Sequence, residues 1–273
     1  MQTLIDLVST LLPLLYALAT VNYLVFFVRN DPFAEKTCTP FLIFVFSLHA
    51  TFFLLRIFVY GRYPITNMAE ALSAVGLAVV LVYLYEERIQ RSRSTGVFIL
   101  TVVTVLQLIA SSLLHTIGET NSALAENPIY GLHAVAAVLC YAAFAVGAVY
   151  GVMYLLLYRA LKRKSFGLVF ERLPPLDVLA SMGIGATFIG WTLLTATIAL
   201  GFAMGGLWKA IDDPTTLTVL LVWAVYTVAV GGYFALGWRG ARTVYLSLVG
   251  FACALLAMVG SAWVWPSYHT FSA

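Results

Sequence analysis

Eight stretches of about 20 mostly apolar residues, parted by short breaks that hold most of the charge, constrain this chain more than anything else in it. They cover 4–28, 40–60, 68–86, 97–117, 129–158, 177–204, 216–236 and 243–265. Each is long enough to cross the hydrocarbon core of a bilayer as an α-helix. Inside lipid no water pairs with open backbone groups, so a crossing segment is either helical or part of a closed barrel. Barrel strands alternate polar and apolar residues over about ten positions, and no such alternation occurs here. The expected fold is an all-α integral membrane protein, a bundle of about eight transmembrane helices. Composition agrees, with 62% hydrophobic and 10% charged residues against roughly 45–50% and about 25% in soluble domains. A soluble chain this apolar would expose larger greasy patches than such proteins tolerate. The net charge of +3 is small and scattered, which argues against a nucleic-acid partner.

Lys and Arg set the orientation. The first loop carries Arg29 and Lys36, the third Arg88, Arg91 and Arg93. The fifth carries Arg159, Lys162, Arg163, Lys164 and Arg172, and the seventh Arg239 and Arg242. Twelve of the 15 basic residues thus share one side, and only Arg56, Arg62 and Lys209 fall toward the other. The odd loops are expected in the cytoplasm, with both termini on the outer face of the cell's inner (plasma) membrane. Ala17, Leu18 and Ala19 resemble a cleavage site, but no basic leader precedes them, and the segment reads as a retained helix. No internal repeat appears. The basic connection 159–176, ending on Pro174 and Pro175, is the expected seam between five spans and three, within one transmembrane domain covering 1–273.

The three cysteines form no C-x-x-C, no C-x-x-C-H and no zinc spacing, which argues against thiol redox or covalent haem attachment. The four histidines sort by topology. His133 opens span five at its outer end, His269 follows span eight in the outer tail, and His115 closes span four. Imidazole ligates haem iron well, so an outward-facing pair can form a bis-histidine site. Histidines at an interface also simply bond headgroups and neighbouring loops. His49 lies near the middle of span two, where an ionisable group is costly and therefore a functional candidate. Arg56, seven residues on, shares its face. That pair reads equally as the lining of a polar path or as a packing contact. The polar segment 61–70 places Arg62 before a turn and helix cap at Pro64, Thr66 and Asn67, where the guanidinium suits an anionic group. Trp208, Trp263 and Trp265 gather with His133 and His269 at one membrane face, as an aromatic belt or as the seat of a flat ligand.

In order along the chain stand His49 with Arg56, then Gly61-Arg62-x-Pro64-x-x-Asn67-x-x-Glu70-x-Leu72, Leu132-His133 with Tyr141-Ala142-x-Phe144, and Leu173-Pro174-Pro175-Leu176-Asp177. Asp213-Pro214 with Trp223-x-x-Tyr226, Gly237-Trp238-Arg239-Gly240-x-Arg242 and Tyr268-His269 follow. In this series the chain resembles the CcsA/ResC/HemX group of cytochrome c assembly membrane proteins, within a wider haem-handling superfamily. It departs from the haem-synthase members in having a short loop before Asp213-Pro214, with Trp208 alone and Asp212 at a tryptophan position. It also lacks a histidine within span seven. These departures place it toward the HemX-like branch.

The resemblance implies a b-type, non-covalently held haem at the outer face between His133 and His269, which serve as its metal ligands. Trp208 and Trp265 would flank the ring, Arg62 or Arg56 would pair with propionates, and His49 and Asp213 belong to the same candidate set. The implied chemistry is presentation of haem, with a ResB-like membrane partner and apocytochrome c as receiving machinery, rather than a covalent step of a stand-alone enzyme. A second reading is a HemX-type regulator of haem biosynthesis acting through the basic loop 159–172. A third is a small-molecule transporter built on His49 and Arg56, against which stands the lack of inverted repeats and broken helices.

Overall fold

The computed structural model describes residues 2–61, 65, 67–90, 93–114, 128–205 and 213–263. All regular structure among them is helical: α1 (Gln2–Arg29), α2 (Pro32–Tyr60), α3 (Met68–Gln90), α4 (Gly96–Leu114), α5 (Pro128–Lys162), a short α6 (Leu168–Arg172), α7 (Leu176–Gly205), α8 (Pro214–Phe234) and α9 (Ala241–Trp263). Eight of these are long and apolar enough to cross a membrane, in agreement with the sequence.

Span two begins earlier than hydropathy places it, at Pro32 rather than near residue 40. Pro40 sits inside α2, although proline removes a helical donor. The true start is a side-chain cap. Asp31 Oδ1 accepts from the backbone N–H of Phe33 and of Ala34, both at 2.9 Å, and Pro32 takes the first helical position, where its missing N–H costs nothing. Gly61 closes α2 in the left-handed conformation (φ 63°), donating its N–H to Ile57 O.

The chain divides into two compact units, residues 1–126 and 127–272. This boundary falls one span ahead of the expected seam at 159–176. The reason is that α5 packs on α7 backbone to backbone. A Cβ added at Gly147 would lie 3.2 Å from Gly183 O and 3.1 Å from Thr187 Oγ1. Small residues that let helices meet this closely are the usual interface of membrane bundles.

In the first unit α1 packs on α2 and α4, and α3 on α4. Its interior is lined by Leu12, Tyr16, Tyr23, Leu42, Tyr83, Ile99 and Leu100, all fully buried. In the second unit α5, α7, α8 and α9 enclose Cys140, Phe144, Leu194, Val222, Tyr226, Ala254 and Ala257. Phe144 and Tyr226 stack at 3.8 Å between centroids and 5° between planes. Two glycines clamp this stack: a Cβ at Gly190 would fall 2.5 Å from the Phe144 ring, and one at Gly250 would fall 2.8 Å from the Tyr226 ring. Large apolar side chains such as Leu14, Phe58 and Leu256 remain exposed, the pattern of a surface whose solvent is lipid.

Candidate functional site

Of the residues singled out in the sequence, His49, Arg56, His133 and Asp213 are described, whereas Arg62, His115, Trp208, Trp265 and His269 lie outside the described residues. The four that are seen occupy different settings.

His49 is fully buried in the first unit and held at both ring nitrogens. Ser73 Oγ, on α3, donates its one proton to Gln107 Oε1 on α4 at 3.0 Å. His49 Nε2, 2.9 Å from Ser73 Oγ, must then be the donor in that pair. Nδ1 is left as acceptor for the Tyr16 hydroxyl, also at 2.9 Å. Gln107 Nε2 reaches Ser111 Oγ at 3.4 Å, and Ser111 donates to Ser9 O at 2.8 Å. The result is one directed chain through α1, α2, α3, α4 and back to α1, in which every donor points the same way. Gln107, Ser73 and Tyr16 were not singled out by sequence. The available signal was a lone glutamine within an apolar span, since a buried amide must find partners.

Arg56 lies two turns from His49 but is engaged separately. Its Nη2 contacts Glu70 Oε1 at 2.5 Å, with both residues nearly inaccessible. Asn67 caps α3 by accepting the Glu70 N–H at 2.8 Å, so the cap sets the position of the carboxylate that meets the guanidinium. Gly61, Asn67 and Glu70, which carry part of the family resemblance, thus have structural work: the end of α2, the start of α3 and the ion pair between them.

A further polar cluster, absent from the sequence reading, joins the opposite ends of the same four helices. Glu87 on α3 accepts from Tyr23 on α1 at 2.6 Å and from Thr39 on α2. Arg93, just before α4, donates to Thr39 Oγ1 at 2.8 Å and lies 3.4 Å from Glu87. The sequence signal was Glu87 at the tail of a span, one position from a basic residue, which reads equally well as an exposed loop charge.

His133, near the start of α5 in the second unit, is half-buried. Its Nδ1 lies 2.9 Å from the backbone carbonyl of Thr197 on α7. A carbonyl only accepts, so Nδ1 carries the proton, and in the neutral ring Nε2 is the lone-pair nitrogen. A Cβ at Gly201, one turn further along α7, would lie 3.4 Å from His133 Cε1, so the ring rests over a glycine. Asp213 is 2% exposed and caps α8: its Oδ1 accepts the Thr215 N–H at 3.1 Å, with Pro214 at the first helical position.

Tyr141 and Trp223, also part of the resemblance, have structural partners. Tyr141 donates to Ala254 O at 3.4 Å. Trp223 donates to Thr195 Oγ1 and Trp191 to Thr227 Oγ1, each at 2.9 Å, a reciprocal tie between α7 and α8. In the turn before α9, Trp238 lies against Gly232, where a Cβ would come within 2.2 Å of its ring. Arg239 donates to Tyr233 O at 2.6 Å and sits 3.8 Å over the Tyr233 ring.

Comparison with known proteins places this geometry in context. The model of the family described as cytochrome c assembly protein matches residues 65–269. Protein HemX of Brevibacillus brevis is 24% identical over 255 residues, 90% of this chain and 92% of that protein. Cytochrome c biogenesis protein CcsA of Heterosigma akashiwo is 24% identical over 252 residues, 78% of this chain and 77% of that one. Inner membrane protein YpjD of Escherichia coli K12 is 29% identical over 189 residues, 68% and 72% of the two chains. Among solved structures, cytochrome c heme lyase CcmF superposes with a TM-score of 0.67 at 17% identity over 93% of this chain. The chain spans 46% of that larger protein, and the likeness is one of fold.

Proposed function

The chain belongs to the cytochrome c assembly family, and from that premise we propose that this multi-pass membrane protein holds haem for cytochrome c biogenesis at the outer membrane face, between His133 and His269. The observation that carries the reading is the Nδ1–H of His133 donated to Thr197 O. Ligating histidines characteristically give their second ring N–H to a carbonyl or carboxylate, which fixes the tautomer and aims the other nitrogen. His133 is in the tautomer that leaves the lone pair on Nε2, the form of the ring that suits an iron-binding role. When bound, haem supplies the iron centre and the porphyrin that an apocytochrome acquires.

The chain's own residues do the rest. His133 and His269 would hold the iron through ring nitrogens, Trp208 and Trp265 would flank the ring, and Arg62 would pair with propionates, for which its planar fork is suited. Arg56 is occupied by Glu70, which leaves Arg62 as the propionate partner in this reading. Asp213 acts at one remove, by fixing where α8 begins. His49 takes no part as a ligand, because both of its nitrogens serve the interior chain.

The test is the absorption spectrum of detergent-purified protein, oxidised and reduced, with and without added haem. Wild type is expected to give a six-coordinate spectrum. His133→Ala and His269→Ala should each weaken haem retention, and the double variant should add little, because losing one ligand already unseats the other. An identical spectrum from wild type and double variant would refute the site. Reporter tags check the sidedness: positions after 92 and 165 should read cytoplasmic, and the C-terminus external.

A further inference from the structure

The connection between α5 and α7 carries the densest positive charge in the chain and is built in an unusual way. Between 159 and 172 stand five basic residues, Arg159, Lys162, Arg163, Lys164 and Arg172, against the single acid Glu171. α5 and α7 are both membrane spans, so the chain between them lies at a membrane boundary whichever side it occupies. α5 ends by a left-handed turn at Lys164 (φ 54°), with Ser165 N–H donated to Ala160 O and Lys164 N–H to Leu161 O. This hydrogen-bond pattern normally places glycine at the left-handed position, where a residue with a Cβ is disfavoured. Beyond the turn, Phe166 and Phe170 meet edge to face at 5.0 Å. They are nonetheless 60% and 40% exposed, with Leu168 beside them at 36%. Leu173, 7% exposed, pins the far end of α6.

Exposed phenyl rings beside a cluster of lysines and arginines suit neither water nor the hydrocarbon core. They suit the layer between, where aromatic rings sit among headgroups and basic side chains reach phosphates. We propose that residues 159–172 form an interfacial seat that binds anionic phospholipid, with Lys162, Arg163 and Lys164 on the headgroup phosphate and Phe166, Leu168 and Phe170 against the upper acyl chains. The seat is independent of any haem bound elsewhere in the molecule. It tethers the α5–α7 connection to the membrane surface.

The experiment is native mass spectrometry of the full-length, detergent-solubilised protein titrated with phosphatidylglycerol or with phosphatidylcholine. Wild type is expected to bind phosphatidylglycerol more tightly. Basic residues near an anionic surface contribute about fivefold each, so the triple change Lys162→Gln, Arg163→Gln and Lys164→Gln should remove most of the preference. The three side chains are exposed, so this variant should keep the wild-type elution profile. Phe166→Ser with Phe170→Ser should weaken both lipids while leaving the preference intact. Inorganic phosphate at matched ionic strength should not displace the lipid, because it lacks acyl chains. Raising salt should erode the preference without any mutation. Equal binding of the two lipids by wild type, or an undiminished preference in the triple variant, overturns the proposal and assigns the loop to a soluble protein partner. Displacement by phosphate would equally overturn it, by reducing the seat to an anion site.

Discussion

Helices α1–α4 are joined by polar side chains, whereas α5–α9 are joined chiefly by glycines and stacked rings. In the first unit the Ser9–Ser111 contact, the His49 chain, the Thr20–Thr104 pair and the Glu87 cluster follow one another along the bundle. In the second, Gly147 lets α5 meet α7, and Gly190 and Gly250 admit the Phe144–Tyr226 stack. The difference appears again in the two histidines. His49 carries its proton on Nε2 and is used at both nitrogens inside the bundle. His133 carries its proton on Nδ1, where a backbone carbonyl holds it. A membrane interior gives polar groups no water to fall back on, so a network like that of the first unit specifies one register of four helices. The second unit relies more on shape, beside the Trp–Thr ties between α7 and α8, and its histidine near the start of α5 is oriented by a backbone carbonyl.

The largest expected effect lies at the ion pair. Glu70→Ala leaves the buried Arg56 guanidinium without its carboxylate, a change that costs about 3–5 kcal/mol at buried pairs. The protein should accumulate poorly and melt far lower in detergent. Replacing both partners, Arg56→Met with Glu70→Leu, should restore most of the loss. If Glu70→Ala melts like wild type, the polar description of the first unit is wrong.

The shape description of the second unit is broken at Gly190. A methyl group there would fall 2.5 Å from the Phe144 ring, and overpacking of this kind costs about 1–3 kcal/mol. Gly190→Ala should lower the melting temperature, and adding Phe144→Leu should return part of it by vacating the space. A Gly190→Ala protein as stable as wild type would show that the stack is not the element holding α5, α7 and α8 in place.

The contrast between the histidines is sharpened by His49→Ala. Removing the ring strands the Tyr16 hydroxyl and a lone pair of Ser73, at about 1–3 kcal/mol. A double-mutant cycle with Ser73→Ala should show coupling, since both belong to one chain. The haem spectrum should stay that of wild type in the protein that does fold, unlike that of His133→Ala. A haem spectrum lost in folded His49→Ala protein would move the ligand site into the first unit.

These features differ in how far they could be read from sequence. Hydropathy alone yields the eight spans, because crossing a bilayer leaves a signal 20 residues long. Depth alone marks His49, whereas Asp213-Pro214 stands out only through the resemblance, and the structure shows the pair to be a helix cap. What escapes is pairing. Ser73, Gln107 and Ser111 are single polar residues in apolar runs, and a run that is apolar on every side does not say which face looks inward. Phe144 and Tyr226 lie on helices far apart in sequence, so nothing local announces that they stack. The Arg56–Glu70 pair shows the same limit from the other side. Both residues belong to the resemblance, but nothing in the sequence joins them, because Glu70 lies across a turn and on another helix. The early start of α2 escapes for a different reason: Glu35, Lys36 and Thr37 make its first turns polar, so they do not register as part of an apolar span.

The smallest expected effect tests the orientation of His133 most directly. Its ring lies over Gly201, where an added Cβ would sit 3.4 Å from Cε1 and 3.7 Å from Nδ1, ordinary contact distances. Gly201→Ala therefore adds a methyl group without forcing the ring aside, and alanine in a helix interior is favoured over glycine by about 1 kcal/mol. The variant should be as stable as wild type or slightly more so, with haem affinity unchanged. Gly201→Leu, by contrast, has no room beside the ring and should turn the imidazole away from Thr197 O, lowering haem affinity while the fold persists. Titration of haem into the three proteins, followed at the Soret band, separates the outcomes. If alanine weakens haem binding as much as leucine does, the ring does not lie over Gly201 in the working protein. The hydrogen bond that presents Nε2 would then no longer support ligation by His133.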